Sequence, residues 1–197
     1  MIVRHTNVLG ASSDPFIHNL FRETEPVCTA FCTAYAMWTS KKGGRAGESL
    51  RVKQLFKALY TEKIPKWEVD VLVRFHEKSP EYKALFKGGR TAFRRGPYDL
   101  RAEKLASLAL NLKDFPGLFV TKMEVEDFHK QLTEALNVNK GESTGVKGAS
   151  GGLEAARKAA AIKMYANLGY LMAHFAEDTK QIKRFFETNK LRRRKAK

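Results

Sequence analysis

The stretch Leu153–Phe175, LEAARKAAAIKMYANLGYLMAHF, decides the fold class. Ala156, Ala160, Met164, Leu168, Leu171, Met172 and Phe175 recur at helical intervals, which gathers them on one face of an α-helix. The run of alanines lets a neighbouring helix come close. Tyr165, Asn167 and Tyr170 surround Leu168-Gly169, and a glycine in mid-helix costs roughly 1 kcal/mol against alanine. Close packing against another backbone is a sufficient reason for it.

Toward the N-terminus, Asn139–Gly152 is rich in Gly, Ser, Thr and Lys and holds one isolated valine, a composition that predicts a flexible loop between helices. Before it, Val125, Phe128, Leu132 and Leu136 mark a helix, and Thr121 and Glu124 have the spacing of a capping box. Tyr98, Leu105, Leu108, Ala109 and Leu112 mark another, ended by Phe115-Pro116-Gly117. Ser79-Pro80 caps a short helix that carries Tyr82, Leu85 and Phe86 and is closed by Gly88-Gly89. Trp67, Val71, Leu72 and Phe75 follow a break at Pro65, and Leu50, Leu55, Phe56 and Leu59 make an apolar stripe with Arg51, Lys53 and Lys57 lying off it.

Val27–Ser40 is apolar on most sides (Val27, Cys28, Phe31, Cys32, Tyr35, Met37, Trp38), which predicts a helix at the centre of a bundle. Gly43-Gly44 is its expected stop and Thr24-Glu25-Pro26 a restart or kink. Ser13-Asp14-Pro15 starts a short helix carrying Phe16, Leu20 and Phe21. Ile182, Phe185 and Phe186 make a last short helix. No stretch sustains strand alternation and no fixed-period repeat is present. The expected architecture is all-α: an antiparallel helical bundle with short interrupting helices, one domain over residues 1–189, and a basic tail at 190–197, expected to be disordered.

Composition sets the class of partner. In 197 residues, 36 Lys and Arg stand against 21 Asp and Glu, a formal net charge of +15. The excess is segregated: about +9 falls in residues 41–104 and about +8 in 151–197, while 1–40 and 105–150 are each about −1. Such charge draws a protein to polyanions and also keeps it in solution. Lys41, Lys42, Arg45, Arg90, Arg94 and Arg95 fall in predicted loops, and Arg192, Arg193, Arg194 and Lys195 in the tail, where they are placed to reach phosphates. Nucleic acid or ribonucleoprotein is the partner this favours. The tail suits ribosomes, anionic lipid or an acidic protein equally. No zinc finger, helix-turn-helix or aromatic RNA-binding motif is visible. In sequence the aromatics recur at core spacing and not among the basic residues, which argues against a stacking platform for single strands. The alternative is a structural or assembly protein that binds another protein.

The motifs of catalysis and metal binding are incomplete. Gly43-Gly44-Arg45-Ala46-Gly47 and Gly145–Gly152 lack the Gly-Lys-Ser/Thr ending of a phosphate loop. His5, His18, His76, His129 and His174 are scattered singly. His76-Glu77 has no second histidine one turn on, and Glu126-Asp127-Phe128-His129 is a lone Glu-x-x-His spacing where a di-metal bundle needs two. Cys28 and Cys32 read as small core residues, and two cysteines make no disulfide framework. No metal, cofactor or catalytic site is expected. Met1–Gly10 does not read as a signal peptide and no apolar run is long enough to span a membrane, so a cytoplasmic location is the expectation.

Ser79-Pro80-Glu81-Tyr82-Lys83-Ala84-Leu85-Phe86, with Gly89-Arg90, Phe93, Gly96, Tyr98 and Arg101, then Tyr165–Met172 and Phe185-Phe186, resembles a pattern in uncharacterised bacterial helical proteins. The resemblance spans about the C-terminal two thirds. It implies a helical fold and assigns no functional residue. Within it, Arg90 and Arg101 flank a short loop, and Arg101 is expected to hold that loop against the bundle through an acid or through loop carbonyls.

Overall fold

The computed structural model describes residues 1–178 and 180–186. The predicted tail, with Arg192, Arg193, Arg194 and Lys195, lies outside the described residues. Seven α-helices and no strand occur among those described: α1 Ile2–Gly10, α2 Pro15–Ala58, α3 Ile64–Leu72, α4 Pro80–Leu85, α5 Tyr98–Asn111, α6 Phe119–His174 and α7 Ile182–Phe185. The fold is all-α, as expected. None of these helices is long and apolar enough to cross a membrane.

Two helices are far longer than their local sequence predicts. α2 runs unbroken through Pro26 and through Gly43-Gly44, and α6 runs unbroken through Asn139–Gly152. The expected helix stop and the expected loop are both corrected by this. Along most of both helices the reason is tertiary. On α2 the covered positions Ile17, Leu20, Thr24, Phe31, Trp38, Val52, Leu55 and Leu59 keep a seven-residue register. On α6 Glu142, Val146, Ala149, Leu153, Ala156 and Ala160 alternate in steps of four and three. That is the spacing of a seam between two helices. Within Met1–Lys42 and the chain from Val146 the pairing is antiparallel, for Asp14 meets His174 at 3.0 Å and Glu23 meets Lys163; within Gly43–Gly145, Ser49 donates to Asn139 at 2.9 Å. In α6, half-burial of Glu142, Val146, Ala149, Leu153 and Ala156 offsets glycine's helix cost because it acts over several turns at once, whereas residues 39–47 of α2 are exposed throughout and nothing in the structure explains the run through Gly43-Gly44.

The same geometry corrects the reading of Val27–Ser40. With one long partner, a helix covers one stripe only. Cys28 is buried, Phe31 and Trp38 are half-buried, and Cys32, Tyr35 and Met37 are exposed. Pro65 does not break its run either. Residues Leu59–Lys63 form a π turn in which the Ile64 N–H donates to the Leu59 carbonyl, and α3 follows at once. Widening the turn makes room for a ring that would otherwise strike the preceding carbonyls.

The chain divides into two compact units. The first comprises Met1–Lys42 and the chain from Val146 onward. Its core joins Leu9, Ile17, Leu20, Leu171 and Phe185, with Ile2, Cys28 and Ala160 beside the seam. α1, for which the sequence offered no signal, is tied in by a buried polar cluster. His5 Nδ1 bonds the Phe185 carbonyl at 2.9 Å, His5 Nε2 meets Asn167 Nδ2 at 3.0 Å, and Asn167 Nδ2 also donates to Thr24 Oγ1 at 2.7 Å. Asn167 is thus the reason for its stretch of α6. Gly169 is not, because a Cβ there would meet nothing within 4 Å. At the start of α2, Asp14 accepts from the Phe16 and Ile17 N–H groups, the predicted cap.

The second unit is Gly43–Gly145. Its core gathers Val52, Phe56, Leu59, Trp67, Leu105, Leu132 and their neighbours from α2 through α6. Ser79 caps α4 by accepting from the Tyr82 N–H, and Gly88 and Gly89 close it with φ of 85° and 63°, a left-handed turn that favours glycine. The predicted capping box on α6 is not made. Thr121 donates to Asp70 instead, and Glu124 accepts from Lys66 and from the Trp67 indole.

Candidate functional site

The basic residues singled out in the sequence fall in different settings. Lys41, Lys42 and Arg45 are on α2 and not in a loop, and Lys42 Nζ lies 5.0 Å from the Trp38 ring. Arg90 is spent on structure. Its Nε pairs with the buried carboxylate of Glu68, which also accepts from the Tyr82 hydroxyl at 2.6 Å. Burial, then the bond to Glu68, pushes the Tyr82 phenol up to about 12. Arg95 is exposed in the turn after the Arg90–Phe93 3-10 helix.

Arg94 belongs to a site that sequence order hides. In the second unit the end of α2, the turn at Arg94 and the first turn of α5 line an open groove of about 480 Å³. Lys53, Lys57, Arg94 and Arg101 line it together with Phe56, Tyr60, Thr61 and Tyr98, and none of the lining side chains is a carboxylate. Lys53 and Lys57 sit one turn apart on a single face of α2, and Thr61 follows them in the π turn. The Lys pair was visible in sequence as residues off the apolar stripe. What sequence could not show is that α5 returns beside them.

Arg101 is the buried cation of the groove. It is nine-tenths buried at 9% exposure. Its Nε donates to the Phe93 carbonyl at 2.8 Å and its Nη2 to the Phe56 carbonyl at 3.4 Å. The expected holding of the loop against the bundle is therefore made through carbonyls. The guanidinium sits 4.4 Å from the Phe56 ring centre and 5.4 Å from that of Tyr98. Burial lowers the Arg101 pKa below its usual value and the charge of Arg94 adds to this, against the opposing influence of Tyr98. An arginine nonetheless stays charged.

Aromatic rings alternate with these cations in space. Tyr98 stacks on Phe56 at 4.4 Å and 16°, and the Arg94 guanidinium covers Tyr60 at 5.0 Å. Tyr98 remains 37% exposed. The separation of aromatic from basic residues read along the sequence does not hold in three dimensions. Thr61 donates to its own helix at the Lys57 carbonyl, 3.0 Å away. Electrostatically the groove is a concave cationic surface with rigid aromatic walls, suited to an anion that also carries a flat apolar group.

No known protein family, curated protein or solved structure matches the chain. No residue role therefore comes to it from elsewhere. Among the described residues, no three His, Cys, Asp or Glu side chains are grouped to hold a metal ion.

Proposed function

We propose that the protein is a non-enzymatic binder of polyanions, with nucleic acid or a ribonucleoprotein as the partner its charge fits. The observation that carries this reading is the groove of Lys53, Lys57, Arg94 and Arg101, four cations without a lining carboxylate. A surface salt bridge would have neutralised any of the exposed three, Lys53, Lys57 and Arg94, cheaply, as Asp99 does Lys140 in the same unit. Anionic phosphates are the ligand such a cluster attracts, and each one neutralised releases counterions.

The test is fluorescence anisotropy of nuclease-treated protein with labelled RNA and duplex DNA across a salt series. Binding is expected to weaken steeply with salt. Lys53→Ala and Lys57→Ala are each expected to weaken it and to reduce the logarithmic salt slope by about 1, the share of a single phosphate. Absence of binding near physiological salt would overturn the reading.

A second reading, assembly with a protein partner, draws on a different surface. Val69 and Leu72 on α3, Val73 just beyond it, and Phe119, Val120 and Met123 at the start of α6 are all exposed large apolar side chains. The two elements are pinned together by Lys66–Glu124 and Asp70–Thr121. Light scattering on Val73→Asp and Val120→Asp variants, compared with wild type, tests it: loss of an assembled species supports it and an unchanged monomer refutes it.

A further inference from the structure

Building on the polyanion reading, we infer that the groove takes single-stranded nucleic acid in preference to a duplex, seating a backbone phosphate among Lys53, Lys57 and Arg94 over Arg101 and a base against Tyr98. Burial of one cation is the first reason. Arg101 lines the groove and is nine-tenths buried, with its guanidinium against Phe56 and Tyr98. Phosphates on a duplex lie along a stiff rod and approach surface side chains; reaching a buried guanidinium requires the strand to bend away from its partner. A single strand does this without breaking base pairs.

The walls supply what a bare phosphate does not need. Tyr98 is held by its stack on Phe56 and still keeps 37% of its surface open. A ring already ordered loses little freedom when a base settles on it, and base–aromatic stacking accepts every base. Polyphosphate or a lipid headgroup would use the cations and leave the rings idle.

The lining also shows what the groove does not read. Base edges are read by Asn or Gln on adenine, Asp or Glu on cytosine, and the paired donors of Arg on guanine. No Asn, Gln, Asp or Glu lines the groove, the Thr61 hydroxyl already donates within its own helix, and both arginines are engaged, Arg94 over Tyr60 and Arg101 on the Phe93 and Phe56 carbonyls. Binding is therefore tolerant of sequence and selective for strandedness.

The experiment compares a 15-nucleotide single strand, the matching duplex and inorganic polyphosphate, each titrated with the full chain at fixed salt. The single strand is expected to bind at least about tenfold more tightly than the duplex, with oligo-dT and oligo-dA within a few-fold of each other. Tyr98→Leu, which keeps an apolar side chain against Phe56, is expected to weaken single-strand binding on the order of tenfold and leave polyphosphate binding unchanged; Tyr98→Phe is expected to keep wild-type affinity. Quenching of a 2-aminopurine base in the strand by the wild-type protein reads the stack without any variant. Equal affinity for strand and duplex, or a silent Tyr98→Leu with no quenching, overturns this inference and leaves the polyanion reading standing. Failure of all three probes to bind overturns both.

Discussion

The imidazole of His5 joins three other helices at one point: α7 through the Phe185 carbonyl, α6 through Asn167 and, by way of Asn167, α2 through Thr24. A carbonyl accepts, so Nδ1 carries the proton and Nε2 takes the Asn167 N–H. The ring also stacks on Phe186 at 4.5 Å. Burial lowers its pKa from 6.5, against the raising influence of the Phe185 bond. A second proton would set Nε2–H against the Asn167 N–H. The unfolded chain takes that proton near pH 6.5 and the folded chain only at lower pH, so this contribution to stability is full above pH 6.5 and is lost as pH falls below it. Thermal melts between about pH 7.5 and 5.5 are expected to show the melting temperature falling with acid, with a shallower fall in His5→Gln. Parallel profiles would refute it. At this scale the sequence is legible only where chemistry is local. Ser79 and Asp14 cap their helices because a cap needs a few neighbouring residues and nothing else. His5, Asn167 and Arg101 depend on partners far along the chain, and so does Glu124, which Lys66 and Trp67 draw away from its own helix end.

At the scale of the element, the long helices hold a conflict between local preference and tertiary order. Gly43 and Gly47 in α2, and Gly141, Gly148, Gly151 and Gly152 in α6, lie in helical backbone, and a Cβ at each would meet nothing within 4 Å. Composition at these positions says loop, which is why Asn139–Gly152 reads as one. The contrary signal, Val146, Ala149, Leu153 and Ala156 in steps of three and four, is weak because alanine and a lone valine hardly stand out from their neighbours. With open space and helical φ, alanine costs nothing sterically and restricts the unfolded chain. Gly148→Ala and Gly151→Ala are each expected to stabilise the protein by about 0.5–1 kcal/mol. Denaturant unfolding checks the sum, and amide hydrogen exchange across 141–152 locates it. No slowing of exchange there would mean that the segment's helix is held by the seam alone. The short elements were easier to read, since Pro, Ser and Gly punctuate them. The groove belongs to this scale as well: its lysines sit one turn apart on α2, but only the return of α5 makes them a site.

For the whole molecule the decisive quantity is where the +15 acts. The groove and the basic run Lys190–Lys197 make different predictions for the same titration. A run of lysines and arginines neutralises phosphates on any polyanion and has no means of distinguishing strand from duplex. The groove has aromatic walls and a buried cation, so its share of the affinity depends on strandedness. Deleting residues 190–197 is therefore expected to lower affinity for single strand, duplex and polyphosphate by a similar factor and to flatten all three salt slopes together. Lys57→Ala should act on the single strand most. If the deletion abolishes binding to every probe while Lys57→Ala changes none, the charge of the chain end is the whole of the interaction and the groove cations serve only the fold and its solvation. If the two changes multiply, groove and chain end contribute to the affinity independently.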